Sequence, residues 1–188
     1  LIHSDYQIDA KGLACPMPIV KTRKALKEVT PGSVVEVAAT DKGSTADLKA
    51  WAKSAGHEYI GTVEEGEVLK HYLRKANEAE EKEERFPHVV SNEQLASLLE
   101  TEQNIVLLDV REEAEYAFGH IPSAKSMPLN TVDEQANAID KSSEVYVICR
   151  TGNRSDTVAK KLSEAGFSKV YNVVPGMSEW NGTIEKNE

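Results

Sequence analysis

Residues 145–166 read VYVICRTGNRSDTVAKKLSEAG, and their order decides the fold of the chain's second half. The run VYVI is continuously apolar, the mark of a strand buried on both faces. SDTVAKKLSEAG carries a helical pattern over residues 155–165. Only a tight loop separates them, so the strand runs almost directly into the helix. NIVLLDV (104–110) predicts a second such strand, and helical patterns recur at 112–118 and 131–139. SNEQLASLLE (91–100) opens with a capping box, Ser91 and Gln94. Strands alternating with helices predict an α/β domain over residues 88–188, a parallel sheet flanked by helices.

Residues 1–76 alternate differently. A short strand is expected around 5–9, then a helix over 19–29 with apolar residues at 19, 20, 25, 26 and 29. Pro31-Gly32 ends it, and SVVEVAAT (33–40) predicts a strand. STADLKAWAKSAG (44–56) predicts a second helix, with Ser44 or Thr45 as cap and Gly56 as stop. EYIGTV and VLKHYLR flank EEGE, a hairpin signal. The order βαβαββ predicts a two-layer sandwich, with two helices on one face of a four-stranded sheet. Between the domains, NEAEEKEERFP (77–87) predicts a charged linker. Its pairs Glu78 with Lys82 and Glu81 with Arg85 are spaced to favour a solvated helix.

The net charge is −9, and residues 88–188 hold nine basic against sixteen acidic side chains. No basic surface of the kind that binds nucleic acid is concentrated anywhere in the sequence. No apolar run approaches the roughly 18 residues that span a bilayer, so no membrane partner is expected. LIHSDYQIDAKG lacks the basic start and apolar core of a secretory signal, although without an initial Met a trimmed leader stays open. The two cysteines, Cys15 and Cys149, make neither a disulfide framework nor a zinc site. A reducing cytoplasm is the expected location, with no metal.

A cysteine at a strand end, facing a tight loop and a helix start, suits an anion. Loop N–H groups and the helix N-terminus direct partial positive charge at the loop centre. A sulfur placed there is expected as a thiolate, helped by nearby arginines. Gly152 lets the turn close, and Arg154 offers a planar fork of donors. The plainer reading is a small buried cysteine at a strand end. RTGNR, following immediately, favours the thiolate. Asp109, Arg111 and His120 could form an acid/base set, but polar groups at strand ends usually satisfy the backbone or each other, and that structural reading is expected here.

GLACPMPIVKTRK poses the same question for Cys15. With Pro16 as the first helical residue, Cys15 becomes the N-cap, its sulfur facing the positive end of the helix dipole. A helix start beside a small apolar cysteine remains open on geometry alone. Lys21, Arg23, Lys24 and Lys27 form either a solvated face of that helix or a docking face for an acidic partner.

Two resemblances gather these features. CRTGNRS looks like the active loop of rhodanese-type sulfurtransferases, whose CxxGxR pattern is one residue shorter than the C-x5-R loop of cysteine phosphatases. LLDVREEAEYAFGHIPSAKSMPL (107–129) and VYNVVPGMSEWNG (170–182) resemble further stretches of that family, and the similarity covers residues 88–188. Val174-Pro175-Gly176 departs from the Gly-Gly often found there. DAKGLACPMP resembles the TusA or SirA-like sulfur-carrier family, with CPxP as its signature and a match over residues 4–76.

The resemblances imply a fused sulfurtransferase and sulfur carrier. Cys149 is expected to take sulfane sulfur from thiosulfate or a low-molecular-weight persulfide and to pass it to Cys15 or an external thiol, including that of an acceptor protein. Arg154 is expected to act with Cys149 and Cys15. Arg150 at the entrance, Thr151, Gly152, Asn153 and Ser155 are expected to hold the donor. The chemistry is covalent catalysis through cysteine persulfides and calls for no metal or organic cofactor. Two rivals share the residues: a redox or persulfide sensor using both cysteines with little turnover, and a phosphatase or arsenate reductase, which the short C-x4-R interval disfavours.

Overall fold

A computed structural model describes residues 1–76, 85–101 and 104–187. The chain divides into two compact units, Leu1–Glu78 and Ala79–Glu188. Both charge pairs expected in the linker involve residues outside those described.

The first unit runs β1 (Tyr6–Ala10), α1 (Met17–Glu28), β2 (Val34–Ala39), α2 (Ser44–Ala55), β3 (Glu58–Glu65) and β4 (Val68–Arg74). Its sheet has the order β1-β2-β4-β3, with β1 parallel to β2 and the other pairs antiparallel. Leu26 of α1 and Leu48 and Ala52 of α2 share one core with Val35, Val37 and Leu73 of the sheet. One face therefore carries both helices, as the βαβαββ order predicts. The hairpin is tighter than its sequence signal. β3 continues through Glu64 and Glu65, and Glu65 pairs with Val68. Their side chains are exposed, so the strand extends without burying charge, and Lys70 Nζ lies 2.8 Å from Glu65.

The second unit runs β5 (Val89–Ser91), α3 (Asn92–Thr101), β6 (Ile105–Asp109), α4 (Glu113–Phe118), β7 (Lys125–Ser126), α5 (Val132–Gln135), β8 (Glu144–Ile148), α6 (Asn153–Glu164) and β9 (Lys169–Val174). All its strand pairs are parallel, in the order β5-β9-β8-β6-β7. β8 is central, and its side chains alternate between two cores. Val145, Val147 and Cys149 pack with Val158, Ala159 and Leu162 of α6 on one face. Tyr146 and Ile148 pack with Leu95 of α3 and Val173 on the other. This two-sided burial is why the strand shows no polar alternation.

Ser91 and Gln94 form the expected reciprocal cap, each backbone N–H donating to the other's side chain. The helix expected over 131–139 is broken into α5 and flanking 3-10 turns at Leu129–Thr131 and Ala136–Ala138. No helix among the described residues is long and apolar enough to cross a membrane.

Candidate active site

β8 delivers Cys149 to the loop with its side chain 1% exposed. The Gly152 N–H donates to Cys149 Sγ at 3.1 Å, and Ser155 Oγ lies 3.2 Å from the same sulfur. α6 begins at Asn153, two residues before its sequence pattern, because the loop glycine's carbonyl already accepts the Asp156 N–H. Gly152 has φ +90°, a conformation that costs a side chain strain, and a Cβ there would lie 3.0 Å from Val174. The segment that departs from the family pattern forms the roof of this loop. Met177 and Ser178 N–H groups donate to the Cys149 and Arg150 carbonyls at 2.8 and 2.9 Å. Gly176 lies so close that a Cβ would stand 2.5 Å from the Cys149 carbonyl oxygen. The Asn92 side chain clamps Gly176, accepting its N–H and donating to its carbonyl.

Asn172 on β9 orders the loop from below. Its amide N–H donates to the Gly152 carbonyl at 3.2 Å, and its carbonyl oxygen accepts the Ser155 hydroxyl at 2.5 Å. A hydroxyl has one proton, so Ser155 then meets the Cys149 sulfur as an acceptor. Asn172 and Asn92 were not apparent as site residues from sequence; both lie far along the chain from Cys149.

The remaining expected residues separate. Arg150 and Thr151 are exposed at the loop. Asn153 turns its side-chain oxygen to Arg85, 2.5 Å from Nη1. Arg154 is buried, and both its terminal nitrogens lie on the Glu115 carboxylate, at 2.5 and 2.9 Å. The donor fork expected for a substrate is therefore directed at α4. Glu115 also caps that helix by accepting the Glu112 N–H at 3.1 Å. Arg111 makes a two-point contact with Asp109 and donates to the Gly119 carbonyl. His120 stacks on Tyr116 and bonds its carbonyl and Glu185. Asp109 and Arg111 thus pair at the end of β6 and His120 pairs locally, as expected of such polar groups.

Cys15 stands in different surroundings. α1 starts at Met17 with Pro16 as its N-cap, so Cys15 precedes the cap and is exposed. The reason is local. Val20 N–H donates to the Pro16 carbonyl, while Met17 N–H closes a turn back to Ala14. Acidic residues surround the sulfur's segment. Cys15 N–H donates to Asp41 at 2.9 Å. The neighbouring Asp47 carboxylate first, then desolvation and the Asp41 charge, push the thiol above its ordinary pKa. The expected thiolate-favouring N-cap is thus corrected: the field at Cys15 is acidic. Asp41 itself stays below the usual carboxylate range, because Gly43 and Cys15 N–H groups both donate to it. Lys21 on α1 donates to the Asp9 carbonyl at 2.9 Å.

A buried histidine secures the Asp41 loop. Ser44 Oγ donates to the Asp41 carbonyl at 2.6 Å and lies 2.8 Å from His71 Nε2. With the serine proton committed, Nε2 carries hydrogen and Nδ1 accepts from the Tyr59 hydroxyl at 2.7 Å. Burial pushes the His71 pKa down to about 4. The unfolded imidazole titrates near ~6.5, so as pH falls from there toward ~4 only the unfolded chain takes up the proton. Stability of the first unit should fall across that window by about 3 kcal/mol and then stop falling on this account. Thermal melts at a series of pH values check it. His71→Gln should flatten the slope, and an unchanged slope would contradict the assignment.

Among the described residues, no group of three His, Cys, Asp or Glu side chains is arranged to hold a metal ion. Residues 6–75 match the family described as Sulfurtransferase TusA, and residues 91–183 match the family described as Rhodanese-like domain. YrkF of Bacillus subtilis, named as a candidate sulfur carrier protein, is 49% identical over 178 residues, covering 95% of this chain and 96% of its own. YtwF of the same organism, named as a candidate sulfurtransferase, is 40% identical over 99 residues, 52% of this chain and 95% of its own. A rhodanese-like domain protein from Staphylococcus aureus superposes with a TM-score of 0.51 at 29% identity, over 54% of this chain and 99% of that one.

Proposed function

The chain belongs to the sulfur-carrier and sulfurtransferase family that joins a TusA domain to a rhodanese-like domain, and we propose that it moves sulfur through its two cysteines. Cys149 attacks the outer sulfur of thiosulfate or of a low-molecular-weight persulfide and becomes a persulfide. The electron pair of the broken S–S bond leaves with sulfite or with the donor thiolate. Cys15, or an external thiol, then takes the outer sulfur and returns Cys149 to its starting state.

One observation carries this reading: the Gly152 N–H directed at Cys149 Sγ, at the start of α6, in a loop pinned by Asn172 and the Gly176 segment. N–H groups and a helix start favour negative charge on a sulfur placed there. Cys149 is nearly closed off, so loading requires the loop to part at its exposed side, where Arg150 and Thr151 meet the donor. Arg154 acts on this reading as a positioning residue, tying the start of α6 to α4 through Glu115. The sulfur travels as a covalent persulfide, so the proposed steps draw on no metal or organic cofactor.

Delivery to an acceptor tests the relay. Cys15→Ala should leave loading of Cys149 from thiosulfate unchanged while cutting delivery to a protein acceptor about tenfold or more. Undiminished delivery by that variant would show that Cys15 is not the carrier.

A further inference from the structure

Three buried side chains, Asn172, Ser155 and Cys149, form one run of hydrogen bonds beneath the loop. β9 fixes the backbone of Asn172, whose N–H donates to the His88 carbonyl at 2.9 Å and which pairs in register with Val147 of β8. Its side-chain orientation follows from its partners. The Gly152 carbonyl can only accept, so the amide nitrogen faces it and the amide oxygen faces Ser155. That oxygen takes the one serine proton. The serine oxygen, 3.2 Å from Cys149 Sγ, is left with lone pairs toward the sulfur. The sulfur must then supply the proton between them. As placed, the run from Cys149 S–H through Ser155 O–H to the Asn172 carbonyl suits a neutral thiol.

A thiolate inverts the last link. It has no proton to give, and an oxygen lone pair at that distance opposes its charge. The Gly152 N–H favours the anion at the same atom. Ser155 can join it only by turning its proton from Asn172 to the sulfur. Charged side chains on the surrounding elements are paired with each other: Arg154 with Glu115, Arg111 with Asp109, and Lys160 with Asp156, which also accepts the Phe86 N–H. Arg150 lies exposed at the loop. We propose that Asn172 is a positioning residue that keeps unloaded Cys149 a thiol by holding the Ser155 proton, and that Ser155 turns to the sulfur as the nucleophile forms. This deepens the transfer reading and rests on Cys149 being the sulfur acceptor. The thiol proton passes to water at the parted loop, the Ser155 O–H exchanges Asn172 for the sulfur, and nothing is oxidised. Thiolate, not thiol, is the nucleophile, so Asn172 sets how much of the protein is ready to attack.

The test uses the full chain with Cys15→Ala, so that Cys149 is its one thiol. The infrared S–H stretch reports the thiol, and ultraviolet absorbance reports the thiolate. Ser155→Ala should raise the S–H stretching frequency, because the thiol loses the oxygen to which it donates. An unmoved frequency would overturn the proposal, whether or not any Asn172 variant folds. Asn172→Leu should raise the thiolate-to-thiol ratio at neutral pH about tenfold, the size expected of one hydrogen bond to a charged sulfur. That variant also loses the bond to the Gly152 carbonyl. Repeating it in the Ser155→Ala background separates the two losses, and there the ratio should move by less than about twofold. No rise with Ser155 present, or an equal rise in both backgrounds, would overturn the proposal alone. If the spectra hold but intact mass shows no sulfur on Cys149 after thiosulfate, the transfer reading falls, and the role of Asn172 in it.

Discussion

Cys149→Ser abolishes sulfur transfer from thiosulfate, by about a thousandfold or more, with little change in stability. The first half of this expectation is chemical. A serine hydroxyl cannot become a persulfide, and no neighbour in the loop supplies another thiol, since the sequence holds only the cysteine Cys15 besides. Loss of a covalent nucleophile removes the step itself, which is why such losses are large. The second half is structural. A hydroxyl at this position can accept the Gly152 N–H and meet Ser155, the partners the sulfur now has. A buried polar group with partners costs little, so the melting temperature should move by only a few degrees. Steady-state assays and calorimetry on the same sample check both halves. Substantial remaining transfer would mean that Cys15 accepts sulfur from thiosulfate directly.

Glu115→Ala should be the most damaging substitution for the rhodanese-like unit. It removes the carboxylate that the two terminal nitrogens of Arg154 contact, in a residue only 3% exposed. Breaking one side of such a pair costs about 3–5 kcal/mol. The reciprocal cap of α4 is lost as well. For a domain of this size the melting point should fall by on the order of 10 °C or more. Transfer activity should fall with it, because Arg154 precedes Ser155, which contacts the Cys149 sulfur. Stability and positioning can be separated. Glu115→Met combined with Arg154→Leu replaces the pair by apolar volume, which is often neutral for stability. That double variant should regain melting temperature but not activity. Recovery of both would reduce the pair to a structural brace.

The legible parts of this protein are those whose causes are local. β8 could be read because both its faces are buried and its residues are uniformly apolar. The cap at Ser91 and Gln94 is contained within four residues. Cys149 and its loop were visible for the same reason, as one continuous strand, turn and helix start. What escaped reading depends on partners distant in sequence. Glu115 looks like one acid in a solvated helix until Arg154, 39 positions on, meets it. The prolines beside Cys15 suggested a dipole-stabilised sulfur. Asp47 and Asp41 instead raise its pKa, and Asp41, 26 residues away, accepts its backbone N–H. α5 lost its length because the chain around it alternates between α and 3-10 turns, a distinction that apolar spacing does not encode.

Order of loading tests the relay most directly. The full chain is treated with thiosulfate labelled in its outer sulfur, quenched over time, and mapped by mass for a gain of roughly 32 Da per added sulfur. Label should appear first at Cys149 and then at Cys15, and Cys149→Ser should leave Cys15 unlabelled. Label reaching Cys15 equally fast without Cys149, or never reaching it while Cys149 fills, would contradict the account.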